Sequence, residues 1–120
     1  PEFDLKTIKM VQAQAFNTPK GYSNWRDVCD DIYKQILDID FDVALISAGG
    51  YSLPLVKFIK KRCNKTAIQM GGALQILFGV KGARWDDNRA GIELYNKYWV
   101  RPSKDERITN LNQVEQGCYW

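Results

Sequence analysis

Two glycine pairs and one basic loop hold the residues best suited to chemistry. Ser47-Ala48-Gly49-Gly50-Tyr51-Ser52 follows the apolar run Val43–Ile46, and Gly71-Gly72 closes a second β-like run, Thr66–Met70. Gly79-Val80-Lys81-Gly82-Ala83-Arg84-Trp85 comes soon after. Glycine lets a backbone approach a ligand closely, and amides at the start of a following helix attract a phosphate or carboxylate. Ser47 and Ser52 add hydroxyls. Lys81 and Arg84 add cations, arginine being able to grip a phosphate through two bonds, and Trp85 adds a stacking surface. The candidate ligand contacts are therefore Ser47, Gly49, Gly50, Ser52, Gln69, Gly71, Gly72, Lys81, Arg84 and Trp85. Their chemistry suits a phosphorylated small molecule. Neither the Walker lysine loop nor the GxGxxG fingerprint is present. A tight βα turn with Ser52 as N-cap, and a surface loop with Trp85 tucked into a core, account for the same residues without a ligand.

Catalytic groups are harder to find. The chain has no histidine, which removes Ser-His and Cys-His nucleophile systems and the commonest metal ligand. A general base would have to be a carboxylate, such as Asp86 or Asp87, or come from outside the chain. Asp27, Asp30 and Asp31 lack calcium-loop spacing and read as a solvated helix face. Catalytic residues and cofactors stay unassigned, and no metal is expected.

Elements must bring the glycine turns together. Val43–Ile46 lacks polar alternation, as expected of a strand covered on both faces of a parallel sheet. Strands are predicted near Leu5–Val11, Val43–Ser47 and Ala67–Met70, with a short helix as rival at the first. Helices are predicted over Asn24–Leu37, Pro54–Arg62 and Ala73–Phe78. In the first helix Ser23 is the expected N-cap, and Trp25, Val28, Cys29, Ile32, Ile36 and Leu37 form the apolar face. Asn17-Thr18-Pro19-Lys20-Gly21 is a turn, and Asn64 a left-handed cap. Strand, glycine turn, helix, strand, glycine turn, helix is a βαβ pattern, with both turns at the strand ends where open α/β sheets bind ligands. The expected fold is α/β: a three-layer, Rossmann-like domain with a mostly parallel sheet. Val43, Leu45, Ile46, Leu55, Ile59, Ile68, Leu74 and Leu77 are its expected core.

Composition limits the rest. One hundred and twenty residues suit a single domain, 1–120. A net charge of +3 and a pI of 8.8 are mild, and no nucleic-acid-binding module is visible. Lys57, Lys60, Lys61, Arg62 and Lys65 read as a solvated helix end. Three cysteines without CxxC spacing point to reduced thiols and a cytoplasmic setting. No apolar run reaches the ~20 residues of a membrane span. The aromatic stripe from Leu94 to Trp99 reads as packing, and the tail Val114–Trp120 as docked on the body.

PEFDLKTIKMVQ, FDVALISAGGYSLPL, KTAIQMGGALQILFGVKGARW, YWVRPSKDER and VEQGCYW together resemble the carboxyl-terminal half of an uncharacterised bacterial family. Its members are often encoded among polysaccharide-biosynthesis genes and are similar in layout to GT-D-type glycosyltransferases. The resemblance implies a nucleotide-sugar at the carboxyl edge of a Rossmann-like sheet, and a longer protein with an amino-terminal portion. The missing amino-terminal domain is the partner this implies, with a homo-oligomer as the alternative. GT-D-type enzymes carry an Asp-x-Gly-His-like turn where this chain reads Gln69-Met70-Gly71-Gly72. With the acid and the histidine absent, only the two glycine turns and the adjoining loop carry over, as ligand contacts. A non-catalytic nucleotide- or sugar-binding module, and an assembly domain docking a partner through its aromatic tail, are the competing expectations.

Overall fold

The computed structural model describes residues 2–17 and 19–120, with Ala90 described by its backbone alone. Pro1, the first residue of the PEFDLKTIKMVQ stretch, and Thr18 of the expected turn lie outside the described residues. The chain forms two compact units: Pro1–Val11 with Pro19–Gly71, and Gln12–Thr18 with Gly72–Trp120.

The first unit is α/β. Helix α1, Trp25–Leu37, starts at Asn24, whose side chain accepts from the Arg26 amide at 2.8 Å. Asp27 reaches back to accept from the Ser23 and Asn24 amides at 2.8 and 3.1 Å. This capping box moves the cap from the expected Ser23 to Asn24, because only Asn24 stands three residues before an acid. Strand β1, Val43–Ile46, pairs in parallel with β2, Thr66–Gln69, in the register Val43↔Thr66 to Ile46↔Gln69. Between them run a 3-10 turn, Gly49–Tyr51, helix α2, Ser52–Phe58, and a π turn, Ile59–Cys63. Asn64 stops this helix at φ +51°, the left-handed cap expected of it.

Val28, Ile32, Ile36, Ile46, Leu55 and Ile59 form the core of this unit, with Ala44 and Ala67 packed against it. Side chains alternate between the two faces of a strand, so the helices cover the Ala44–Ile46 face. The opposite face bears Val43, Leu45 and Ile68, which are 52%, 41% and 44% exposed. Placing these three in the core is corrected: apolar strand residues mark a face fit for burial, and here one face alone is covered. The predicted strand at Leu5–Val11 is corrected as well. Ile8, Met10 and Val11 pack on the core, but the segment joins no ladder. Ile8, Met10 and Val11 are half-buried there while Leu5 is 54% exposed, so their spacing reflects packing and not a strand ladder.

The second unit consists of short elements: α3 Ala73–Leu77, α4 Ala83–Asp86 and α5 Arg89–Leu94. Asn88 caps α5 by accepting from the Gly91 amide at 3.3 Å. Val80 and Val100 form a parallel bridge, the Lys81 amide donating to the Val100 carbonyl at 2.7 Å. Ile76 and Ile108 are buried, whereas Leu77, expected in the core, is 58% exposed. A helix of five residues has room to bury one stripe, and Ile76 occupies it. The tail docks on its own unit as expected: the Arg84 amide donates to the Cys118 carbonyl at 2.9 Å, and Gln75 Nε2 to the Tyr119 carbonyl at 3.0 Å. Among the described residues no helix is long and apolar enough to cross a membrane.

Candidate functional site

The parallel pairing of β1 and β2 decides where the glycine turns go. Both strands leave the sheet at the same edge, and the Met70 amide donates to the Ile46 carbonyl at 2.8 Å just past the end of β2. Ser47, Gly49, Gly50, Ser52, Gln69 and Gly71 belong to this first unit. Gly49 has φ +52° and Gly71 φ +56°, and no atom lies within 4 Å of where a Cβ would stand at Gly49, Gly50 or Gly71. The first turn is open around both its glycines; in the second, Gly71 is open while Gly72 is packed against Arg84 and Tyr119. Positive φ is what glycine supplies at low cost.

Ser52 departs from the role given it. It is only 1% exposed, and its Oγ accepts from the Ala48 amide at 3.0 Å. The hydroxyl therefore shapes the first turn from inside. Ser47 and Gln69 are exposed at the strand ends.

Sequence reasoning missed an aromatic neighbour of the first turn. A shallow groove of about 220 Å³ is lined by Trp25, Gly50 and Tyr51. Trp25, expected on the apolar face of α1, is 52% exposed, with the Arg26 guanidinium carbon 5.5 Å from its ring centre. A tryptophan in the first turn of a helix lies at the rim of the covered stripe, and that position was the one available signal. Indole, phenol and bare glycine backbone beside a cation can hold a planar ring or a sugar face.

Gly72, Lys81, Arg84 and Trp85 belong to the second unit. Arg84 Nη1 is 3.2 Å from the position of a Cβ at Gly72, so any larger residue there would press on the guanidinium. That guanidinium lies 4.5 Å from the Tyr119 ring centre and pairs with Glu115. Lys81 Nζ stands 5.0 Å from the Tyr95 ring centre. Trp85 is half-buried, packed against Gly91 and close to Gly72. Two buried atoms in this unit, Gln75 Oε1 and Trp85 Nε1, have no protein hydrogen-bond partner.

The carboxylates considered as bases are differently placed. Asp86 receives Arg101 Nη2 at 2.7 and 2.6 Å on its two oxygens, and the Tyr95 hydroxyl at 3.3 Å. Burial, then the Asp86 charge, raises the Tyr95 phenol above its ordinary value. Asp86 thus acts as an internal brace, while Asp87 is exposed. Among the described residues no group of three or more His, Cys, Asp or Glu side chains could hold a metal ion.

No curated protein and no solved structure matches the chain. The family model of the GT-D fold-like domain matches residues 10–77, more than half of the chain. The match spans α1, β1, the first glycine turn, α2, β2, the second glycine turn and α3, and ends before Lys81. Its reach coincides with the segment that holds the βαβ pattern, the parallel register and both glycine turns, and on that match the chain belongs to the GT-D fold-like domain family.

Proposed function

We propose that the chain is a glycosyltransferase-like domain that binds a nucleotide-sugar, in a cytoplasmic step of polysaccharide biosynthesis. The observation that carries this reading is the pair of glycine turns leaving one edge of a parallel sheet, open at Gly49, Gly50 and Gly71, the first turn beside the Trp25–Tyr51 groove. Glycine amides suit the diphosphate, and the groove suits the base or sugar. Membership of the GT-D-like family supports the same ligand class. The reading includes the three-layer, Rossmann-like arrangement, because the apolar face of Val43, Leu45 and Ile68 has the character of a sheet surface made for a second covering layer. Lys81 and Arg84, in the second unit, are proposed phosphate contacts on their own chemistry.

A non-catalytic nucleotide-sugar-binding module is the second reading, and the bracing of Asp86 by Arg101 and Tyr95 favours it. A thermal-shift screen against nucleotide-sugars tests the shared part. A binder of the native state raises the melting temperature in a concentration-dependent way, and the free nucleoside should raise it less. If no nucleotide-sugar moves the transition at millimolar concentration, both readings fall. Release of sugar or its transfer to an acceptor then separates enzyme from module.

A further inference from the structure

We infer that Arg84, Tyr119 and Cys118 form an anion seat that the chain's own Glu115 fills, so that a phosphate-bearing ligand reaches Arg84 by displacing the Glu115 carboxylate. This rests on the reading that Arg84 serves a phosphorylated ligand.

Three donors converge on that carboxylate. Arg84 Nη2 bonds Oε2, the Cys118 thiol donates to Oε2 at 3.6 Å, and the Tyr119 hydroxyl donates to Oε1 at 3.2 Å. The Tyr119 ring also lies under the guanidinium, 4.5 Å from ring centre to Cζ. A guanidinium, a phenol and a thiol around two acceptor oxygens is a donor set that a phosphate oxygen pair would satisfy equally.

The backbone that presents Glu115 is unusual. Glu115, Gln116 and Gly117 have φ of +47°, +58° and +75° in succession. Only the last of these is a glycine, and there a Cβ would stand 2.5 Å from Leu111 Cδ1. Left-handed conformations at non-glycine residues persist where surrounding contacts impose them. The effect is to turn an acidic side chain back over Arg84.

Displacement is feasible because the pair is half open to water. The Arg84 and Glu115 side chains are 34% and 58% exposed, and exposed pairs are weak. The tail itself is held by other bonds: Arg84 N–H to the Cys118 carbonyl, Gln75 Nε2 to the Tyr119 carbonyl, and Trp120 Nε1 to the Glu106 carbonyl at 3.3 Å. Removing the charge of Glu115 therefore leaves the seat in place.

The test is calorimetric titration of inorganic pyrophosphate into the wild-type chain, Glu115→Gln, Arg84→Ala and the double variant at constant ionic strength. Glu115→Gln should bind roughly fivefold more tightly than wild type, the worth of one exposed pair, and Arg84→Ala should erase that gain. If Glu115→Gln binds no more tightly while Arg84→Ala weakens binding, phosphate reaches Arg84 without displacement. This inference then fails and the ligand reading survives. If Arg84→Ala changes nothing, both fail. The wild-type protein gives an independent readout should the variant misfold. The Glu115 carboxyl carbon resonance should move as pyrophosphate saturates, and a resonance that stays still at saturation overturns the displacement.

Discussion

The Met70 amide donates to the Ile46 carbonyl at 2.8 Å, beyond the last paired residue of β2. This bond holds the two strands together to the point where both turns begin. A parallel ladder that continues to its exits leaves the Ser47 and Gly71 backbones at one edge, which is the geometric basis of the ligand site proposed here.

Gly49 and Gly50 should respond differently to substitution. Gly49 sits at φ +52°, whereas Gly50 lies outside the left-handed region with open space around it. Gly49→Ala should cost about 1–2 kcal/mol, and Gly50→Ala no more than about 0.5 kcal/mol. Urea denaturation of the two variants gives the comparison. Equal losses would show that the first turn does not depend on a left-handed residue.

The core assignment makes a second contrast. Ile59 is 1% exposed and Leu45 41% exposed. Ile59→Ala should cost about 2–5 kcal/mol, while Leu45→Ala should cost less than about 1 kcal/mol, its side chain being only partly removed from water. Denaturation midpoints at equal m-values decide it. A larger loss at Leu45 would mean that the second face of the sheet is covered in solution.

Asn24 accepts from the Arg26 amide, and Asp27 accepts from those of Ser23 and Asn24. Asn24→Ala should lower stability by about 1 kcal/mol, and Ser23→Ala by much less. The reverse order in thermal melts would return the cap to Ser23.

Cys29 gives a pH-dependent signature. Burial raises its thiol above the ordinary 9.0, partly offset by a hydrogen bond with Tyr33. The folded state therefore keeps this proton where the unfolded chain has lost it. Its contribution is fully present below pH 9.0 and declines as pH rises through the raised folded value. Iodoacetamide at pH 8 should alkylate the half-buried Cys63 and Cys118 before Cys29. Cys29→Ala should flatten the fall in urea midpoint between pH 8 and 10. A slope unchanged by the substitution would assign it to other groups.

Legibility in the sequence followed the range of the interactions. The boundaries of α1, β1 and β2 came within a few residues of expectation, because local periodicity and glycine, asparagine and proline punctuation set them. Leu5–Val11 failed because apolar spacing reports burial and leaves strand pairing open. Val43, Leu45 and Ile68 failed because whether a second layer covers a face depends on distant chain. At the site, both glycine turns were readable from their neighbours. The Trp25–Tyr51 groove was not, since it joins residues from two elements. The same holds for Arg84, whose partner Glu115 lies 31 positions away in a segment that reads only as a polar tail.

The central claim, a phosphorylated ligand on the two glycine turns, is tested most directly by amide hydrogen exchange. The measurement compares the chain alone with the chain saturated by the nucleotide-sugar that stabilises it most in the melt screen. Exchange at Gly49, Gly50, Gly71 and Gly72 should slow together, with Tyr51 following, while the amides of Lys60–Arg62 stay unchanged. Protection confined to the basic end of α2, or absent from both glycine pairs at saturation, would contradict the account.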